Sequence, residues 1–151
     1  MSEFTPEQKE KYKDFTEDQM NEIKNGFKNG LSEEQIDMYA KPEFDQNQMR
    51  AIRMGLVNNL SMEQVSMYAK PEFDSNQMRG IRYGFINGLT LEEDNVYAKP
   101  EFHADQMCAV RIGFENGLSM KQVGVYAKPE FNDIQMREIV CGFINGLSEE
   151  Q

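Results

Sequence analysis

Histidine and cysteine are nearly missing from this chain: 151 residues hold one histidine, His103, and two cysteines, Cys108 and Cys141. That set is too small for a zinc site or a disulfide framework. It also leaves little for a nucleophile–base pair, and no cofactor is expected. No apolar run approaches the roughly 20 residues that span a bilayer. The opening Met1-Ser2-Glu3-Phe4-Thr5-Pro6-Glu7 has neither the basic nor the apolar stretch of a secretory signal, so the expected location is the cytoplasm. Cations are scarce as well, with 16 Lys and Arg against 26 Asp and Glu, a net charge of −10. Phosphate binding is built on excess Lys and Arg, so nucleic acid and anionic membranes are disfavoured as partners. What is plentiful is core material: ten Phe, six Tyr and eleven Met, too many for a disordered chain.

These residues recur at a fixed step. Tyr39-Ala40-Lys41-Pro42-Glu43-Phe44 returns at Tyr68, Tyr97 and Tyr126, each time 29 residues on. Met20, Met49, Met78, Met107 and Met136 keep the step, as do Gly26, Gly55, Gly84, Gly113 and Gly142. The units are therefore 16–44, 45–73, 74–102, 103–131 and a partial 132–151, about four and a half copies after a leading segment 1–15. A fixed period of this kind marks a repeat architecture.

Each unit reads as two helices. In 45–73, Asp45 and Gln48 form a capping box, with Phe44 and Met49 at the two positions of a hydrophobic staple. Met49, Ile52 and Leu56 then share one helix face. Asn59 takes the left-handed stop position that Gly30, Gly88, Gly117 and Gly146 occupy elsewhere. Ser61 and Gln64 cap a second helix carrying Met62, Val65, Tyr68 and Ala69, which Pro71 is expected to end. The other first-helix caps are Thr16, Asp74, His103 and Asn132; the other second-helix caps are Ser32, Thr90, Ser119 and Ser148. His103 lacks the usual capping oxygen, a loss of about 1 kcal/mol. The tight connection predicts an antiparallel helical hairpin. Such units cannot bury their apolar faces alone. The expected fold is all-α, an α-solenoid of stacked helix pairs, right-handed by analogy with other α-repeats. Residues 16–151 form its single repeat domain. Thr5-Pro6-Glu7-Gln8 opens an extra helix, within 1–15, that caps the first unit. There Asn25, Lys28 and Glu33 replace the apolar residues of later units, as a terminal repeat requires.

The pattern Phe73-Asp74-x-x-Gln77-Met78-Arg79-x-Ile81-Arg82-x-Gly84-Phe85-x-Asn87-Gly88-Leu89, with Ser119-x-x-Gln122-Val123-x-x-Tyr126-Ala127, resembles a 29-residue helical-hairpin tandem repeat of poorly characterised bacterial proteins, often encoded near mobile elements. The resemblance covers about nine tenths of the chain. It implies stacked helix pairs and no particular activity. The period is shorter than that of tetratricopeptide or ankyrin units, so no groove residues transfer from those families.

Several ladders are candidate sites. Lys24, Arg53, Arg82 and Arg111 share one position; Arg50, Arg79 and Arg137 share another. They read as a track for an acidic peptide or phosphate chain, or as a solvated edge paired with acids such as Glu63, Glu72 and Glu101. Met54, Tyr83, Ile112 and Cys141 share a position off the main core face, either a partner patch or lateral packing. The Lys-Pro-Glu-Phe turns and the methionine ladder read as structural. The Tyr39, Tyr68, Tyr97 and Tyr126 ladder reads as core edge with hydroxyls at the surface. Asp94 stands alone as a polar residue where Val65 and Val123 are apolar.

The sequence thus predicts a non-catalytic scaffold that binds a protein or peptide, with Met54, Tyr83, Ile112, Arg50, Arg53, Arg79, Arg82 and Arg111 as candidate contacts. A homodimer through the open C-terminal end is a further expectation. The rival readings are an acidic decoy that occupies the cleft of a nucleic-acid-binding defence enzyme, and direct nucleic-acid binding along the Arg ladder.

Overall fold

A computed structural model describes residues 4–146. Among them are ten α-helices and no strands: α1 (Pro6–Lys11), α2 (Glu17–Lys28), α3 (Glu33–Asp37), α4 (Gln46–Val57), α5 (Met62–Ser66), α6 (Ser75–Ile86), α7 (Leu91–Asn95), α8 (Ala104–Glu115), α9 (Met120–Tyr126) and α10 (Asp133–Ile144). The fold class is all-α. The expected cap at Ser148 and the C-terminal end expected to dimerise lie outside the described residues.

Helices α2, α4, α6, α8 and α10 are each 12 residues long and start at the same position of successive units. Their shared length follows from start and stop signals that recur at the same positions. In α4, the Gln48 N–H donates to Asp45 Oδ1 at 2.7 Å, and the Asp45 N–H donates back to Gln48 Oε1 at 2.8 Å. At the other end Asn59 has φ 70°, and Gly30, Gly88, Gly117 and Gly146 have φ between 86° and 96°. This left-handed residue lets the Leu60 N–H reach back to the Gly55 carbonyl at 3.1 Å, and the bond recurs from Leu31, Leu89 and Leu118. His103 makes half a box. Its own N–H donates to Gln106 Oε1 at 2.8 Å, while the imidazole accepts no capping bond.

The second helices are shorter than the sequence predicts. α5 ends at Ser66, not at Pro71. After Ser66 the N–H groups of Met67 and Tyr68 reach only three residues back, to Gln64 and Val65. The Tyr68 ring at this turn is fully buried in the core, as is that of Tyr126 at the end of α9. The tyrosine hydroxyls are therefore not at the surface, as the ladder had suggested. Each donates to a carbonyl of the preceding long helix: Tyr39 to Glu22 at 2.7 Å, Tyr68 to Ala51 at 3.4 Å, Tyr126 to Ala109 at 3.2 Å. The glycines at 26, 55, 84 and 113 make room for this. A Cβ on any of them would overlap the hydroxyl of Tyr39, Tyr68, Tyr97 or Tyr126 respectively.

The chain divides into two compact units, residues 1–78 and 79–151. In the first, α2 packs on α4, and each packs on the short helix that follows it. Ile23, Ile36, Met49, Ile52 and Val65 are buried there. The predicted N-terminal helix is α1, with Pro6 in its first turn and a full Thr5–Gln8 box. It is held by a cluster of Phe4, Tyr12, Phe15 and Phe27, whose ring centroids lie 5.4–6.5 Å apart. Lys11 also bridges Glu33 at 3.1 Å and Asp37 at 2.8 Å. In the second unit α8 packs on α9 and α10, around Met107, Val110, Val123, Met136 and Val140.

Candidate functional site

The cationic ladder divides into satisfied and unsatisfied members. In residues 4–78, two arginines of α4 converge on one carboxylate of α2. Arg53 Nε donates to Glu22 Oε1 at 3.0 Å, and Arg50 Nη2 to Glu22 Oε2 at 3.2 Å. Arg53 also donates to Asn29 Oδ1 at 2.8 Å. Glu22 is 4% exposed, so this is a buried carboxylate clamped by two guanidiniums. The acids named from sequence, Glu63, Glu72 and Glu101, are not the partners found. Glu22 is, because its position on α2 faces the next long helix. Lys24 is placed over the Phe4 ring at 5.6 Å. Met54 is half-buried.

In the next three units the Glu22 position holds Ala51, Gly80 and Ala109, which cannot supply that carboxylate; an acid returns there only as Glu138 in the last, partial unit. In residues 79–146 the arginines are placed differently. The Arg82 guanidinium lies over the Tyr83 ring at 5.2 Å, and that of Arg111 lies 5.7 Å from the same ring. Both distances fit cation–π contacts. Arg111 Nε is 3.3 Å from Glu115 Oε2, and Asn87 holds the same carboxylate at 2.7 Å. Arg111 and Arg137 also approach Cys108 Sγ, at 3.4 and 4.0 Å. Arg82 is 8% exposed, too buried to be the open contact the sequence suggested, and its Nε has no hydrogen-bond partner. Arg79 is exposed and Ile112 half-buried. The structure thus joins Arg82, Tyr83 and Arg111, and separately Arg50 and Arg53.

Exposure of large apolar side chains is uneven. Tyr83, Ile86, Met120, Ile134 and Ile144 are exposed, and all belong to residues 79–146. Among the described residues of the first unit no large apolar side chain is exposed. Sequence reasoning did not single out Ile86 as a surface residue. The signal was present: its position holds Lys28, Val57, Ile86, Glu115 and Ile144 in turn, and a buried site does not accept Lys and Glu.

Asp94 is the other departure. It is fully buried, and neither carboxyl oxygen has a hydrogen-bond partner. The Tyr97 hydroxyl lies beside it, both groups crowding the Cα of Gly84. Burial pushes the Asp94 carboxyl up to about 7, against the Tyr97 hydroxyl and the Arg111 charge, which favour ionisation. Burial, with the neighbouring Asp94 charge second, likewise raises the Tyr97 phenol.

Among the described residues no group of three or more His, Cys, Asp or Glu is placed to hold a metal ion. No described helix is long and apolar enough to cross a membrane. Comparison with protein-family models, with curated proteins and with solved structures returns no match.

Proposed function

We propose that this chain is a non-catalytic scaffold that binds a protein or peptide, its helix pairs stacked as an α-solenoid. The observation that carries the binding reading is the exposed Tyr83 ring, flanked by Arg82 and Arg111. Aromatic and arginine side chains are the residues that most often dominate binding energy at protein interfaces. Tyr83 is 41% exposed although two cations already cover part of its ring. The same unit leaves four further apolar side chains in water, and the first unit leaves none among its described residues. The solenoid reading is supported by long helices of equal length at a constant step. It is supported also by the packing of α2 on α4 and of α8 on α10.

The test is capture from the native host on immobilised protein, read by mass spectrometry, for the wild type and for Tyr83→Glu. The variant should lose the captured partner while circular dichroism stays unchanged. Loss of helicity together with capture would instead make Tyr83 a packing residue.

A further inference from the structure

The third helical hairpin differs from its neighbours in one buried group. Where the other second helices place Ile36, Val65 and Val123 against the preceding long helix, α7 places Asp94. Its carboxyl is fully buried with both oxygens unpartnered. The bond that anchors the hairpin is also at its longest here. Tyr97 reaches the Gly80 carbonyl at 3.5 Å, against 3.4 Å for Tyr68, 3.2 Å for Tyr126 and 2.7 Å for Tyr39. α7 itself has only five residues, so its hold on α6 rests on these tertiary contacts.

A neutral carboxyl can be buried at moderate cost, but an unpaired carboxylate cannot. We propose that Asp94 makes segment 90–98 a proton-controlled latch, closed on α6 when the carboxyl is protonated and increasingly open as the solvent takes that proton. The groups facing Asp94 do not cancel this. From α8, Arg111 favours the carboxylate, but its Nε is beside Glu115 and its guanidinium lies against Tyr83. From its own segment, the Tyr97 hydroxyl favours ionisation and Glu93 opposes it. From α6, Gly80 and Gly84 present no side chain.

The direction follows from the two states. Open, the carboxyl regains its ordinary value near 4; closed, it titrates at about 7. Below about 4 both states hold the proton and the latch is tightest. Between these values each pH unit favours opening by up to about tenfold. Above about 7 the closed state ionises too, and the effect levels off.

The experiment is amide hydrogen exchange of the full chain from pH 5 to 7, corrected for intrinsic rates. Every sample carries His103→Asn, so that no imidazole is present. The protection of 90–98 relative to the equivalent segment 119–127, which carries Val123, should fall by about tenfold or more across this range. Asp94→Val and the isosteric Asp94→Asn should each make that ratio independent of pH. A flat ratio in the parent protein, or an unchanged slope in either folded variant, would overturn the proposal.

Discussion

A glycine inside a helix usually weakens it, by about 1 kcal/mol relative to alanine. Here the glycines at 26, 55, 84 and 113 do the opposite, because each leaves room for a tyrosine hydroxyl that reaches a carbonyl of the same helix. Gly113→Ala should therefore destabilise the protein by about 2 kcal/mol, the cost of overpacking less the gain in helix propensity. Tyr126→Phe should cost about 1 kcal/mol for the lost hydrogen bond. The double variant should cost clearly less than the two combined, since removing the hydroxyl removes the clash. Urea denaturation of the four proteins checks this. The spacing of glycines and tyrosines is plain in the sequence, but their pairing is not. The period gives each residue its register. It does not tell that Tyr126, at the end of α9, turns inward and lands on the turn containing Gly113.

Helices α2, α4 and α8 are each tied to the end of their own unit by one glutamine with two tasks. Gln48 Oε1 accepts the Asp45 N–H, while Nε2 donates to the carbonyls of Pro71 at 3.1 Å and Phe73 at 2.7 Å. Gln19 and Gln106 do the same with Pro42 and Phe44, and with Pro129 and Phe131. The capping half of this role could be read from the sequence, because it lies within one helical turn. The other half reaches the far end of the unit and could not. Gln48→Glu keeps the cap but sets a carboxylate oxygen against two carbonyls, and should cost about 3 kcal/mol at pH 7.5. The new acid would have its folded value raised, so the penalty is full above that value. It shrinks as the pH falls towards the ordinary glutamate range near 4, where a protonated carboxyl can donate again. Urea midpoints at pH 7.5 and pH 5 should show the variant approaching the wild type at the lower pH.

Over the whole molecule the charge of −10 is unevenly placed. Residues 1–15 carry −1, and the successive units carry −4, 0, −2, 0 and −3. The acidity thus sits mainly in the first and last units, a weaker basis for mimicry of nucleic acid than the total suggests. Several arginines of the ladder are engaged: Arg50 and Arg53 by Glu22, Arg82 by burial, Arg111 by Glu115 and Tyr83. Few cations of this ladder remain for phosphates, so the protein should not shift a duplex or single-stranded DNA probe even at about 50 mM salt in a gel-shift assay. A salt-sensitive shift would reinstate the ladder as a nucleic-acid track. The helix starts and the stops of the long helices were legible, because caps and left-handed stops are local chemistry, whereas the early ends of the short second helices were not. The candidate site was legible in part. Tyr83 stood out as an apolar residue off the core face, and Asp94 as a polar residue among valines. The burial of Arg82 and the clamp on Glu22 depend on which helix faces which, and no single unit records that.

The glutamine bonds have a genetic consequence. In 16–44, 45–73 and 103–131 they begin and end within one unit, so each unit closes on itself. A duplication or deletion of one such unit, in register, cuts none of these bonds and leaves every cap beside its own glutamine. Unequal recombination between neighbouring copies can therefore lengthen or shorten the array by whole units, while a crossover out of register by even one codon breaks the spacing on which both ties depend.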